Sequence, residues 1–138
     1  MRFTLFADGG SRGNPGPAGS GAIIRDESGA TVVTVSEFLG TATNNVAEYT
    51  AVLRGLEALR DVLGKAASEA EVSVFMDSML VVKQMSGEWK LKNEGLKPLA
   101  ARVAEVSRGF RSVTYAHVYR DKNADADRLA NEAMDRGV

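Results

Sequence analysis

The chain's 138 residues suffice to bury a core but not to build two ordinary domains, and a composition of 44% hydrophobic and 25% charged residues excludes the disordered and membrane-embedded classes. Its 17 basic and 18 acidic side chains leave a net charge of −1, which argues against a strongly basic nucleic-acid binder. The absence of cysteine excludes disulfides, thiolate zinc sites and cysteine nucleophiles, and a lone His117 excludes zinc sites built on two or three imidazoles.

From the N-terminus, Phe3, Leu5 and Ala7 alternate with Arg2, Thr4, Phe6 and Asp8, which predicts a strand over Arg2–Asp8 ending at the acid. The run Asn14-Pro15-Gly16-Pro17 forbids a helix, so a loop is expected until a second strand near Gly21–Arg25. Asp26-Glu27-Ser28-Gly29 makes a turn, and the β-branched stretch Ala30–Phe38 completes a hairpin. From Asn45 the period becomes helical, with Val52, Leu56, Leu59 and Leu63 on one stripe and Glu48 at its start. Glu71–Met76 reads as a strand ending at Asp77, followed by a short helix capped by Ser78, running to about Met85 and closed by Gly87. Leu96, Leu99, Val103 and Val106 mark a further helix with Pro98 in its first turn. Val113–Tyr119 alternates as a strand, and a last helix after Asn123 buries Ala126, Leu129, Ala130 and Ala133. This order predicts an α/β fold, a mixed sheet flanked by helices, as one domain over residues 1–138 with no repeat or linker. No apolar run approaches the roughly 20 residues of a bilayer-spanning helix. Asp8 and the glycines after it interrupt the place of a secretory apolar segment. A cytoplasmic location and no membrane partner are therefore expected.

Four acids stand out by position. Asp8 and Asp77 each end a strand, and if those strands are parallel neighbours their carboxylates lie about 5 Å apart. Glu48 sits on the core stripe of its helix, where an unpaired charge is costly. Asp127 lies in the first turn of the last helix. Each has an ordinary explanation taken singly. Asp8 could open a turn, Asn45 and Glu48 could form a capping box, Asp77 could precede a cap, and Asp127 could complement a helix dipole. Together they occupy the places an all-oxygen metal site requires, which favours Mg2+ or Mn2+. Two such ions about 4 Å apart would activate water and stabilise the leaving oxygen of an in-line phosphodiester displacement. With four acids reserved for metal, 17 basic side chains face 14 acids, and Lys83, Lys90, Lys92, Lys97 and Arg102 form a mild basic stretch against Glu88 and Glu94.

Competing motifs fare worse. Asp121–Glu132 matches several ligand positions of a calcium-binding loop, but Ala126 stands where glycine is required and the second half carries a helical apolar stripe. Gly9-Gly10-Ser11-Arg12-Gly13 matches a hydrolase nucleophile elbow, yet no helix can follow it, and a phosphate-binding glycine loop fails for the same reason.

Read together, the segments DGGSRGNPGP, TNNVAEYTA, MDS and NADADRLANEA, in that order and over nearly the whole chain, resemble a type 1 ribonuclease H, in particular its short-loop subgroup. The resemblance implies a ribonuclease H-like fold, a five-stranded mixed sheet flanked by helices, in a monomer. It implies an endonuclease, a hydrolase that cuts the RNA strand of RNA/DNA hybrids with two Mg2+ ions, or Mn2+ as the alternative, and leaves 5′-phosphate and 3′-hydroxyl ends. Carried over by position, Asp8 resembles the central metal bridge, Asp77 its neighbouring ligand, and Glu48 a ligand that also approaches the 2′-hydroxyl beside the scissile phosphate. The family spacing selects Asp127 over Asp125. Asn14, Thr43, Asn44 and Asn45 match positions that contact the hybrid backbone, and Trp89 with its flanking lysines looks like part of the DNA-strand channel, against the alternative of a plain core aromatic.

Departures from the family pattern accompany the match. The short Arg120–Asp127 segment lacks the histidine many relatives carry there, so Arg120 stands as the candidate catalytic substitute, while His117 reads as structural. Met79 replaces a glutamine that contacts the minor groove, and the basic protrusion of some members is missing, so a weaker grip on substrate is expected. The alternatives are a noncatalytic hybrid-binding module and a nuclease that also cleaves double-stranded RNA.

Overall fold

A computed structural model describes residues 1–138. Three long strands open the chain: β1 (Arg2–Ser11), β2 (Gly16–Arg25) and β3 (Thr31–Ala42). They are followed by α1 (Asn44–Leu63), β4 (Glu71–Met76), α2 (Met79–Met85), α3 (Lys97–Ser107), β5 (Ser112–His117) and α4 (Ala124–Arg136), with 3-10 turns at Gly64–Glu69 and Arg120–Lys122. The sheet order is β3-β2-β1-β4-β5. The first three strands pair antiparallel, and β1–β4 and β4–β5 pair parallel, which is the mixed sheet expected. No helix is long and apolar enough to cross a membrane.

Several strand boundaries differ from the sequence expectation, among them the end of β3, which runs to Ala42 rather than Phe38. β1 does not end at Asp8 but runs to Ser11, because residues 8–11 stay paired with β2 after β4 has left the sheet. β2 begins at Gly16 rather than near Gly21: Pro15 and Pro17 forbid a helix but not an extended strand. β5 ends at His117, and Tyr119 projects to solvent, 78% exposed.

Strand alternation assigns the two faces. Ala18, Ser20, Ala22 and Ile24 of β2 are buried beneath α1, and Leu5 of β1 lies beside Gly55 of α1. On this side Leu5, Ile24, Val52, Leu53, Leu56, Leu59, Val72, Val74, Met76 and Val103 join one continuous core. On the opposite face Gly19 and Gly21 of β2 lie against α4, where a Cβ on Gly21 would overlap the Ala126 carbonyl and the Ala130 amide. α4 thus rests on strand backbone, which only glycine allows.

Candidate active site

Asp8 and Asp77 come together through register. The parallel ladder pairs Phe6 with Phe75, so the acids two residues on from each point to the same face of the sheet. The Phe6 and Phe75 rings stack at 5.2 Å between centroids, one pair back from the acids. The two helical acids reach this spot past glycine. Asp8 lies across from Gly21 in the β1–β2 ladder, and the bare backbone there lets α4 settle until Asp127 is in hydrogen-bonding reach of Asp8. Gly9 faces the other way, against the first turn of α1, where a Cβ would overlap the Ala47 carbonyl and the Glu48 amide. That approach brings Glu48 around the strand end. The Ser20 hydroxyl donates to the Ala47 carbonyl at 2.6 Å and fastens the same turn from β2.

The four acids line one cleft of about 510 Å3 with Gly9, Gly10, Ser11, Arg12, Asn44, Asn45, Ser78, Arg120, Ala130, Asn131 and Met134. Their charges are poorly compensated. Burial, the Asp77 charge and contact with Asp127 push the Asp8 carboxyl up to about 8, against a weak opposing pull from the Gly9 amide. Burial, aided by the Asp77 charge, raises Glu48 to about 7, although the Ser78 hydroxyl opposes this, and its buried Oε2 has no hydrogen-bond partner. The nearest cation is Arg120, whose Nε stands 3.9 Å from Asp77 Oδ2 on a side chain 88% exposed, a pairing that solvent weakens. No three acidic or imidazole side chains are gathered into a preassembled metal cage. The cleft offers an open, self-repelling set of oxygen donors, and the donor type suits a hard divalent cation.

Thr43, not Asn45, caps α1: its hydroxyl accepts from the Val46 amide at 3.2 Å. Glu48 is therefore two residues too far along to close a capping box, and the ordinary explanation for it falls away. Asn44 Oδ1 accepts from the Ser11 amide at 2.8 Å, and Asn14 Oδ1 accepts from the Asn44 amide at 3.1 Å. These side chains join the β1–β2 loop to the start of α1. Asn44 and Asn45 line the cleft, whereas Asn14 and Thr43 are not part of its lining. Trp89 lies between α2 and α3, 47% exposed, so it is not a core aromatic, and it is outside the cleft. His117 meets Tyr119 edge-on at 5.5 Å and is also outside the cleft, in keeping with a structural role. Asp125 pairs with Arg25 at 2.6 Å, away from the cleft.

Several cleft residues escaped the sequence reading. Arg12 and Asn131 stand inside the quoted family segments with no role assigned to them, and Met134 lies one residue beyond the last segment. Spacing offered a signal only for the last two, which lie four and seven residues after Asp127 and so share its helical face.

A family model described as reverse transcriptase-like matches residues 6–133. The bifunctional protein Rv2228c of Mycobacterium tuberculosis is 48% identical over 98% of this chain, which spans only 36% of that relative's length. A ribonuclease H of Hydrogenovibrio crunogenus is 34% identical over 95% of this chain and 94% of its own. Among solved structures, LC11-RNase H1 in complex with an RNA/DNA hybrid superposes with a TM-score of 0.92 at 44% identity, covering 97% of both chains. RNase H1 of the halophilic archaeon Halobacterium salinarum superposes at 0.90 with 39% identity and 99% coverage of both. On the matching fold, motifs and near-complete coverage, this chain belongs to the type 1 ribonuclease H family.

Proposed function

We propose that the chain is an endoribonuclease that hydrolyses the RNA strand of RNA/DNA hybrids with two divalent cations, Mg2+ or Mn2+, and leaves 5′-phosphate and 3′-hydroxyl ends. The observation that carries this reading is the meeting of Asp8, Glu48, Asp77 and Asp127, from four separate parts of the chain, in one cleft where the one ion pair any of them makes is with the exposed Arg120. The relative of known structure that holds a hybrid, at a TM-score of 0.92, supports the substrate class.

In this reading the four carboxylates hold the cations, and the unpartnered Oε2 of Glu48 is an oxygen left free for that purpose. Bound divalent ions supply the positive charge that activates water and stabilises the leaving oxygen in phosphodiester hydrolysis. The chain's own residues position the substrate. Asn45, which lines the cleft, offers a neutral side-chain amide to phosphate and sugar oxygens. Arg120, which lines the cleft, offers positive charge to the strand's phosphates, whereas Arg12 is held by Asp135 at 2.6 Å. In this reading Glu48, at the start of α1, also accepts from a ribose 2′-hydroxyl, which DNA lacks.

Digestion of end-labelled hybrid, RNA duplex and DNA duplex, with Mg2+ and Mn2+ titrated separately, tests the proposal. Cleavage of the hybrid's RNA strand, with 5′-phosphates on the products and none in Asp8→Asn or Asp77→Asn, is expected. Full activity in either variant refutes the site. Hybrid binding without cleavage at any metal concentration would make the chain a binding module instead, and cleavage of the RNA duplex would widen its substrate range.

A further inference from the structure

Asn123 is not among the carboxylates and does not line the cleft, yet it is 1% exposed and its amide nitrogen donates to the Ala7 carbonyl at 2.9 Å. Its backbone carbonyl accepts from the Asp127 amide at 3.1 Å. Asn123 thus connects the residue before Asp8 to the first turn of α4, which carries Asp127. Ala7 lies just past Phe6–Phe75, the last paired position of β1 and β4, where β4 no longer runs alongside. The buried amide serves the carbonyl there in place of a strand neighbour.

Although Asn123 stands at the N-cap position of α4, its side chain makes no capping bond. It thereby forgoes the usual contribution of Asn at that place. Its Oδ1 is buried without a partner, a cost that an apolar residue would avoid. A residue kept for helix stability would cap the helix, and one kept for packing would be apolar. Asn123 does neither, and what it does make is a single buried bond one residue from Asp8.

We propose that Asn123 is a positioning residue that sets the separation of Asp127 from Asp8 by tethering the start of α4 to the Ala7 carbonyl. The proposal rests on the hydrolytic reading above. Glycine at positions 9 and 21 permits the close approach of the two helices, and Asn123 fixes where along β1 the second of them stops. A side chain that only accepts would not serve, because an acceptor facing the Ala7 carbonyl would repel it.

The test compares Asn123→Ala with Leu129→Ala, which weakens α4 packing on β2 without touching the tether. Three quantities are read below the melting temperature of both variants: kcat and KM on labelled hybrid, and the affinity for Mn2+ alone by calorimetry. The expected result for Asn123→Ala is a fall of about 10–100-fold in kcat and in Mn2+ affinity, with KM changed less than about twofold. Leu129→Ala is expected to lower the melting temperature while keeping both kcat and Mn2+ affinity near wild type. Equal kcat and Mn2+ affinity in Asn123→Ala and wild type, or equal losses in the two variants, overturns the proposal. Should Asn123→Ala fail to fold, Asn123→Leu fills a similar volume with an apolar side chain that cannot donate to Ala7. The same losses are expected from it, and their absence is decisive against the tether. Wild-type protein that binds Mn2+ but leaves hybrid uncut counts against the hydrolytic reading, and the Mn2+ comparison still decides the role of Asn123.

Discussion

Under α1 and α3 the sheet is covered by large aliphatic side chains: Leu5, Val52, Leu56, Val72, Val74 and Val103 interlock in a core with no polar requirement. Under α4 the contact is made by absence, with Gly19 and Gly21 presenting bare backbone to Ala126, Ala130 and Ala133. The first face contributes most of the hydrophobic stabilisation, at about 25 cal/mol for each Å2 of apolar surface removed from water. The second gives up side-chain burial for proximity, and proximity is what an oxygen-donor site needs. Stability is thus drawn mainly from the first face, while Asp8, Asp77 and Asp127 gather beside α4 on the second and Glu48 reaches them around the strand end. Substitutions that lift α4 and substitutions in the aliphatic core should therefore have different signatures.

The largest effect is expected at the carboxylates. Glu48→Gln should reduce turnover on labelled hybrid by about 100-fold or more, yet leave the metal-free protein as stable as wild type or more so. The stability gain has a defined pH dependence. The folded-state pKa of Glu48 is raised from 4.5 to about 7, so the folded protein holds a proton that the unfolded chain releases. Stability from this group is complete below about pH 4.5 and lost as pH rises through 7. The advantage of Glu48→Gln in melting temperature should therefore be negligible at pH 4.5 and full by pH 7.5 in metal-free buffer. A constant difference across that range would contradict this account.

Next in size is Gly21→Ala. A Cβ there meets backbone rather than a flexible side-chain end, so α4 must lift. A loss of roughly 3 kcal/mol or more, on the scale of severe core strain, should accompany a matching loss of Mn2+ affinity, because Asp127 moves with the helix. Leu56→Ala on the other face should cost a similar ~2–5 kcal/mol by chemical denaturation. Here the folded fraction is expected to keep wild-type turnover. Equal turnover losses in the two variants would erase the proposed division of labour between faces. At the small end, Asp125→Asn removes an ion pair in which Asp125 is itself half-exposed and should shift stability by less than about 1 kcal/mol, with cleavage unchanged.

Much of this was legible in the residues. The alternation of Arg2–Asp8 and Glu71–Met76 and the helical stripe of Val52, Leu56 and Leu59 placed the elements within a few residues, because period follows from backbone geometry alone. The four acids were legible as a set, since each sits at an element boundary and their order follows the family's motifs. The glycine strand was not. Gly16-Pro17-Ala18-Gly19-Ser20-Gly21 reads as a loop by composition, and it becomes a strand because β1 and β3 supply its hydrogen bonds and α4 covers its face. Trp89 was open to two readings, and its exposure rejects one of them, since burial depends on what the rest of the chain brings to the site.

By itself, the amino-acid sequence determined the element order and the oxygen-only character of any metal site, which depend on local periodicity and side-chain chemistry, while the resemblance to a family singled out the four carboxylates. Only the tertiary structure decided that β1 continues past Asp8, that Thr43 rather than Asn45 caps α1, and that Gly9 and Gly21 are the openings through which Glu48 and Asp127 reach Asp8. Those outcomes depend on distances between segments far apart in the chain, and such distances are set by packing, which no local pattern encodes.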